Sequence, residues 1–233
     1  MTNPTYIDTA GQITAIFASR VAKTARSSLA TTLLKEKSCE QVAFLDMKSA
    51  PPRLEMMGDE LCINGTIASA FLISDLLGTN QSDLEIPLLT KTINFTVDRS
   101  RVTVQFPLSS LVKDVLENRV ILAGISYQII PGIPKRQKLT NLQKQILNNL
   151  AKTNPAAGLI FYENNVIKPV IYVKKTNSVI WEQACGSGSL AFSLSTGITQ
   201  VTQPSKEVIT IKATNDTLSI STTALKTTRK VNA

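Results

Sequence analysis

The chain has 233 residues, 25 Lys and Arg against 17 Asp and Glu (net +8), an apolar fraction of 43% and no histidine. That length can bury the core of one large domain or two smaller ones, but without imidazole there is no Ser-His-Asp or Cys-His catalysis and no histidine metal site. No apolar run approaches the ~20 residues that span a bilayer, the N-terminus lacks a basic-then-apolar leader, and three cysteines cannot all pair within the chain, so a cytoplasmic protein with reduced thiols and no membrane partner is expected.

In chain order, Tyr6–Thr9 and Ile13–Phe17 read as a strand interrupted at Ala10-Gly11-Gln12. Val21–Glu36 reads as a helix with Ala22, Ala25, Leu29 and Leu33 inward and Ala30 as a further candidate. Val42–Leu45 and Leu54–Met57 are short strands around the Ala50-Pro51-Pro52 break. A helix should start near Asn64, run through Ala68, Phe71, Leu72 and Leu76, and stop at Gly78. Thr92–Val97 and Arg101–Phe106 alternate as a hairpin turning at Asp98-Arg99-Ser100, and Val120–Ile130 is strand-like up to Pro131-Gly132.

The basic stretch Pro134-Lys135-Arg136-Gln137-Lys138 has no interleaved aromatics and is read as solvated surface, so no nucleic-acid partner is expected. It leads into a helix, Thr140–Ala151, with Leu142, Ile146, Leu147 and Leu150 apolar. Leu159–Tyr162 and Val166–Val173 form a hairpin over Asn164-Asn165, with Pro169 suggesting an edge strand or a bulge. Val179–Trp181 ends a strand, Leu190, Ala191, Phe192 and Leu194 suit the inner face of a helix, and the tail from Val208 carries two or three short strands.

Two stretches echo one another. Glu60-Leu61-Cys62-Ile63-Asn64-Gly65-Thr66 and Gln183-Ala184-Cys185-Gly186-Ser187-Gly188-Ser189 each place Cys-x-[Asn/Ser]-Gly-[Thr/Ser] at a strand-to-helix joint. The expectation is an α/β (α+β) protein of two similar domains facing each other across a cleft. Residues 1–107 would carry Cys62 and residues 108–221 Cys185, with a final strand of about 222–233 returning to the first domain.

A lone buried cysteine is usually a small hydrophobe, and Cys39, without the glycine-rich context, is read that way. A matched pair, one per half, points to chemistry. Thiols on opposite walls of a cleft can remove a proton from one face of a carbon and supply one to the other. Helix starts lower a thiol's pKa and offer unpaired N–H groups to a carboxylate. Scattered cysteines without histidine disfavour a metal site, and neither a P-loop nor a Cys-x-x-Cys pair is present.

At these residues the sequence resembles the cofactor-independent two-cysteine racemases and epimerases of the diaminopimelate epimerase fold. The closer likeness is to the histidine racemases of staphylopine-type metallophore biosynthesis. It is carried by Ala10-Gly11-Gln12-Ile13-Thr14, Cys39-Glu40-Gln41-Val42, Gly58–Thr66, Pro169-Val170-Ile171-Tyr172 and Ile180–Gly188. The resemblance implies two pseudo-symmetric halves, each a curled mixed sheet around a central helix. It implies Cys62 and Cys185 as acid and base, and N–H groups around Ile63, Asn64, Gly65, Gly186, Ser187 and Gly188 as the grip on the α-carboxylate. It also implies Glu40, Gln12 and Glu182 as contacts of the amine or side chain, no pyridoxal phosphate or metal, and a homodimer. Where the diaminopimelate enzymes carry an acidic–basic pair for the far end of their substrate, this chain has Thr176 and Asn177. The expected substrate is therefore a single amino acid, histidine first and another single amino acid second, a basic one being the candidate named. A non-catalytic small-molecule-binding relative is the rival reading.

Overall fold

The computed structural model describes residues 3–19, 21–36 and 38–228. β1 (Thr5–Thr9) and β2 (Gln12–Phe17) are two antiparallel strands rather than one interrupted strand, because Ala10 and Gly11 take positive φ (53° and 94°) and turn the chain back. α1 (Lys23–Lys35) crosses over to β3 (Gln41–Asp46), parallel to β2, and β4 (Arg53–Met56) returns antiparallel to β3. α2 (Ile63–Leu77) follows and ends on left-handed Gly78, as expected. β5 (Gln81–Leu84), β6 (Ile93–Asp98) and β7 (Arg101–Pro107) form an antiparallel meander whose second turn carries Arg99 at φ 56°.

The short α3 (Leu108–Leu111) leads to β8 (Val112–Leu116), β9 (Arg119–Leu122) and β10 (Ile125–Pro131). The single strand expected over 120–130 is thus broken: Gly124, at φ 78°, folds β9 and β10 into a hairpin. α4 (Asn141–Leu150) starts on a capping box between Thr140 and Gln143. It crosses to β11 (Ala156–Glu163), parallel to β10, and β12 (Val166–Val173) returns antiparallel. β13 (Ser178–Trp181) pairs with β12, and α5 (Gly186–Thr196) ends on left-handed Gly197. β14 (Gln200–Thr202), β15 (Val208–Ala213) and β16 (Thr217–Lys226) complete the chain.

The same order therefore occurs twice. An antiparallel pair, a crossover helix, a parallel neighbour, an antiparallel return and a buried helix run from β1 to α2 and again from β9 to α5. The strands join into one curled mixed sheet in the order β4-β3-β2-β1-β16-β15-β14-β12-β11-β10-β9-β8, and β7 pairs with β16 as well. β16 touches both repeats: Ala224–Lys226 pair with β1 and Thr210–Ala213 of β15 pair with Leu218–Ser221. Residues 229–233 of the expected returning strand lie outside the described residues.

α2 packs against β1, β2, β3, β6, β7 and β16, and α5 against β8, β9, β10, β11 and β15. Both helices are buried over most of their length, small hydroxyl residues included, as a helix wrapped by sheet must be. β2 and β3 are covered on both faces. Ile16, Ala43 and Leu45 face the main core with α2, while Ile13, Ala15, Phe17, Val42 and Phe44 face α1. On α1 the buried position is Ala30, with Leu29 and Leu33 half-buried beside it; Ala22 and Ala25 are exposed, and Arg26 lies over the Phe44 ring of β3. Cys39 sits in the core under α1, as expected of a structural cysteine, with burial pushing its thiol up to about 12. Leu142 of α4 is also exposed, so its inner face reduces to Leu147, Leu150 and half-buried Ile146. Pro169 is buried in a strand with neighbours on both sides, not at an edge. Its missing N–H falls in the gap between the β13 pairing (Val170–Val173) and the β14 pairing at Val166. Among the described residues no helix is long and apolar enough to cross a membrane.

Candidate active site

Cys62 and Cys185 are the N-cap residues of α2 and α5, in near-identical extended conformations (φ −126°, ψ 104° and φ −143°, ψ 102°). Each sulfur accepts the N–H three residues on, Gly65 at 3.1 Å and Gly188 at 3.3 Å. This is the position where a serine or aspartate oxygen normally satisfies a helix start. The hydroxyl that closes each motif does a second matched job: Thr66 Oγ1 donates to the Cys62 carbonyl at 2.8 Å and Ser189 Oγ to the Cys185 carbonyl at 2.7 Å. Side chains cannot replace the two motif glycines without movement. A Cβ on Gly65 would lie 2.8 Å from Met56 Sδ, and one on Gly188 2.6 Å from Ile160 Cδ1.

The two helix starts abut each other. A Cβ on Gly186 would meet Ile63 Cγ2 at 2.7 Å and Asn64 Oδ1 at 2.8 Å. Asn64 Oδ1 accepts the Gly186 N–H at 2.8 Å, while its Nδ2 donates to the Ala184 carbonyl at 3.2 Å. Asn64 therefore joins the two halves. On the other side Tyr127 of β10, fully buried, shares a hydrogen bond of 2.6 Å with Ser187 Oγ, and both oxygens lie 3.8 Å from Cys185 Sγ. Among the described residues, the N–H groups of Ile63, Asn64 and Ser187 have no hydrogen-bond partner. These are orphan donors at two helix N-termini, where the dipoles favour an anion.

One cavity of about 40 Å³ is lined from both halves, by Cys62, Asn64, Gln12, Glu40, Gln41 and Glu60 on one side and by Tyr127, Glu182, Cys185, Gly186 and Ser187 on the other. Its charged wall is acidic, and among the described residues no Lys or Arg lines it. Glu182 is buried, accepts from Gln41 Nε2 at 3.1 Å on Oε1, and leaves Oε2 unpartnered. Gln12, also buried, has neither amide atom paired. Glu40 accepts the Gln183 N–H at 3.3 Å, and Glu60, a half-buried residue, has an enclosed and unpartnered Oε2.

Burial, with Glu182 nearby, pushes the Glu40 carboxyl up to about 8. Burial likewise brings Glu60 and Glu182 to about 7. Both thiols stand well above the usual cysteine range. For each, burial is the largest cause and the Glu182 charge the next; the glycine N–H at each sulfur opposes it. The site as it stands favours neutral groups, and a bound cation would let the carboxylates ionise.

Of the residues singled out in the sequence, Cys62, Cys185, Asn64, Gly186, Ser187, Gln12, Glu40 and Glu182 line this one cavity. Gly65 and Gly188 direct their N–H groups to sulfur, the Gly186 N–H goes to Asn64, and Ile63 contributes its backbone N–H while its side chain packs on Gly186. Gln41, Glu60 and Tyr127 were not singled out. Gln41 and Glu60 had a signal, since each adjoins a residue that was: Glu40 and the Cys62 motif. Tyr127 reads as an interior strand residue, and its role depends on a contact 60 residues away. Among the described residues no group of three or more Cys, Asp or Glu is placed to hold a metal ion.

Solved structures share the fold. A predicted epimerase from Pseudomonas aeruginosa is 12% identical with TM-score 0.69, and a phenazine biosynthesis PhzF-family protein from Enterococcus faecalis is 13% identical with TM-score 0.61; each alignment covers 97% of both chains. A structure named as a probable proline racemase from Agrobacterium radiobacter, with bound carbonate, is 10% identical with TM-score 0.62, covering 97% of this chain and 91% of the other. No match is found among curated protein sequences. The family model for the N-terminal domain of histidine racemase CntK matches residues 3–233. The chain therefore belongs to that family and is an isomerase of the racemase and epimerase class.

Proposed function

We propose that the chain racemises a single amino acid with a basic side chain, histidine first, using Cys62 and Cys185 as acid and base on opposite faces of the α-carbon. The observation that carries this reading is a cavity walled by two helix-start thiols whose charged lining, among the described residues, is entirely carboxylate. The α-carboxylate is suited to the orphan N–H groups of Ile63, Asn64 and Ser187, where two helix dipoles favour negative charge. The same donors gain strength as charge builds on that carboxylate during loss of the α-proton. An α-ammonium and a cationic side chain together match two carboxylates, Glu40 and Glu60. A neutral side chain would leave these carboxyls protonated and give them no charge to pair with, and an acidic one would add a further buried group of the same sign.

In each turnover one thiolate removes the α-proton and the opposite thiol delivers its own, so the pair ends exchanged. The test is chiral chromatography after incubation with each L-amino acid under reductant. D-Histidine is expected, and in heavy water deuterium enters mainly the inverted product. Cys62→Ser and Cys185→Ser should each lose at least ~10³-fold in kcat, since a hydroxyl is a far weaker acid than a thiol. A variant keeping a tenth of wild-type turnover would sink the pairing, and racemisation confined to neutral amino acids would sink the substrate.

A further inference from the structure

A hydrogen-bonded chain runs from one thiol toward the other through two side chains. Cys62 Sγ–H donates to Gln41 Oε1 at 2.6 Å, and Gln41 Nε2–H donates to Glu182 Oε1 at 3.1 Å. The second Glu182 oxygen is buried without a partner in the cavity shared with Cys185. We propose that Gln41 is a positioning residue that keeps the two thiols in opposite protonation states, its side-chain amide turning over each time a proton crosses the substrate. This rests on the two-thiol reading of the site.

The directions of the bonds explain why. With Cys62 a thiol, each link can donate the same way: Cys62 S–H to Gln41 Oε1, Gln41 N–H to Glu182 Oε1, and a protonated Glu182 Oε2–H to a Cys185 thiolate. After the reaction Cys62 is the thiolate and Cys185 the thiol. Every link then reverses: the Glu182 carboxyl turns over about its Cγ–Cδ bond and carries its O–H from the Cys185 side to the Gln41 side, so Cys185 S–H donates to the bare carboxyl oxygen, the Glu182 O–H to Gln41 Oε1, and Gln41 N–H to the Cys62 thiolate. Both states hold two protons over three titrating groups, so none is gained or lost. An amide has one donor end and one acceptor end, so a half-turn of Gln41 together with a half-turn of the Glu182 carboxyl serves both states. It does not itself pass a proton, so the chain follows the reaction without short-circuiting it. Among the described residues the remaining titratable groups near these three are Glu60, facing Cys62 and Glu182, Tyr127, facing Cys185, and Glu40, facing Glu182; all are neutral or anionic. The high affinity of Glu182 for its proton agrees with this assignment.

The test is Gln41→Met, which keeps the length of the side chain and removes both hydrogen bonds. Iodoacetamide labelling against pH, resolved by mass spectrometry, follows each cysteine without any substrate. The expected result is that the labelling profile of Cys185, which Gln41 does not touch, moves together with that of Cys62 by at least about half a pH unit. The kcat should fall at least about tenfold in both directions with KM within about twofold. A Cys185 profile coincident with wild type, or an unchanged kcat, overturns the proposal. If Gln41→Met does not fold, Gln41→Glu decides. Its carboxyl completes the chain only while protonated, so the Cys185 profile must acquire a second inflection, and a wild-type profile overturns the idea. A wild-type chain that racemises no amino acid would defeat the proposed function and still leave the labelling result readable.

Discussion

Glu40 accepts the Gln183 N–H from the opposite half, yet burial and the nearby Glu182 push its carboxyl up to about 8. With an ordinary value of 4.5, its proton is held more tightly folded than unfolded, and the same holds for Glu60 and Glu182 at about 7. The stability linked to these protons is complete below 4.5 and is lost as pH rises through about 7 to 8. The unliganded protein should therefore show a falling Tm between about pH 5 and pH 9, and Glu40→Gln should flatten the part of that fall nearest 8, as read by thermal unfolding in a pH series. Glu40→Gln should also lower kcat/KM for histidine by about ten- to a hundredfold, the range for losing a hydrogen bond to a charged group. Unchanged kinetics would assign Glu40 to joining the halves alone.

The two helix starts are built to touch, and Gly186 is the point of contact. Gly186→Ala places a methyl against Ile63 and Asn64, so α2 and α5 must separate, with a stability loss of about 1–3 kcal/mol visible in urea unfolding. Because a 1 Å misplacement can cost ~10²-fold, kcat should fall by about that much even where the variant folds. These starts were the most legible part of the sequence, since an N-cap sulfur, a third-position glycine and a hydroxyl partner are all local requirements of one helix turn. The buried helices, the Arg99 hairpin and the Asn164 hairpin were legible for the same reason. The β9–β10 break was not, because Ala123-Gly124 is a slight interruption in a long apolar run. The inward face of α1 was misread at Ala22 and Ala25, since small apolar residues suit either side of a helix and only docking selects one. Gln41 and Tyr127 act across 21 and 60 residues, a separation that no local pattern encodes.

The cavity between the halves, about 40 Å³, has room for roughly three water molecules. An amino acid is larger than this space, and the expected response to its binding is that the walls carrying Glu60 and Glu182 part and then close on it. Histidine at about 100 times its Kd should therefore raise stability by ~2.7 kcal/mol, and it should slow amide exchange around residues 58–64 and 180–188 together. Slowing on one side only would deny a joint closure. β16 has a further consequence for how such a molecule is made. It lies between β1 and β15 and also pairs with β7, so the second neighbour of the first strand, opposite β2, is encoded by residues 224–226. A ribosome delivers β1 long before that partner exists. That edge of β1 stays unpaired through most of translation, and the sheet around α2, the helix that Cys62 caps, is complete only with the last strand.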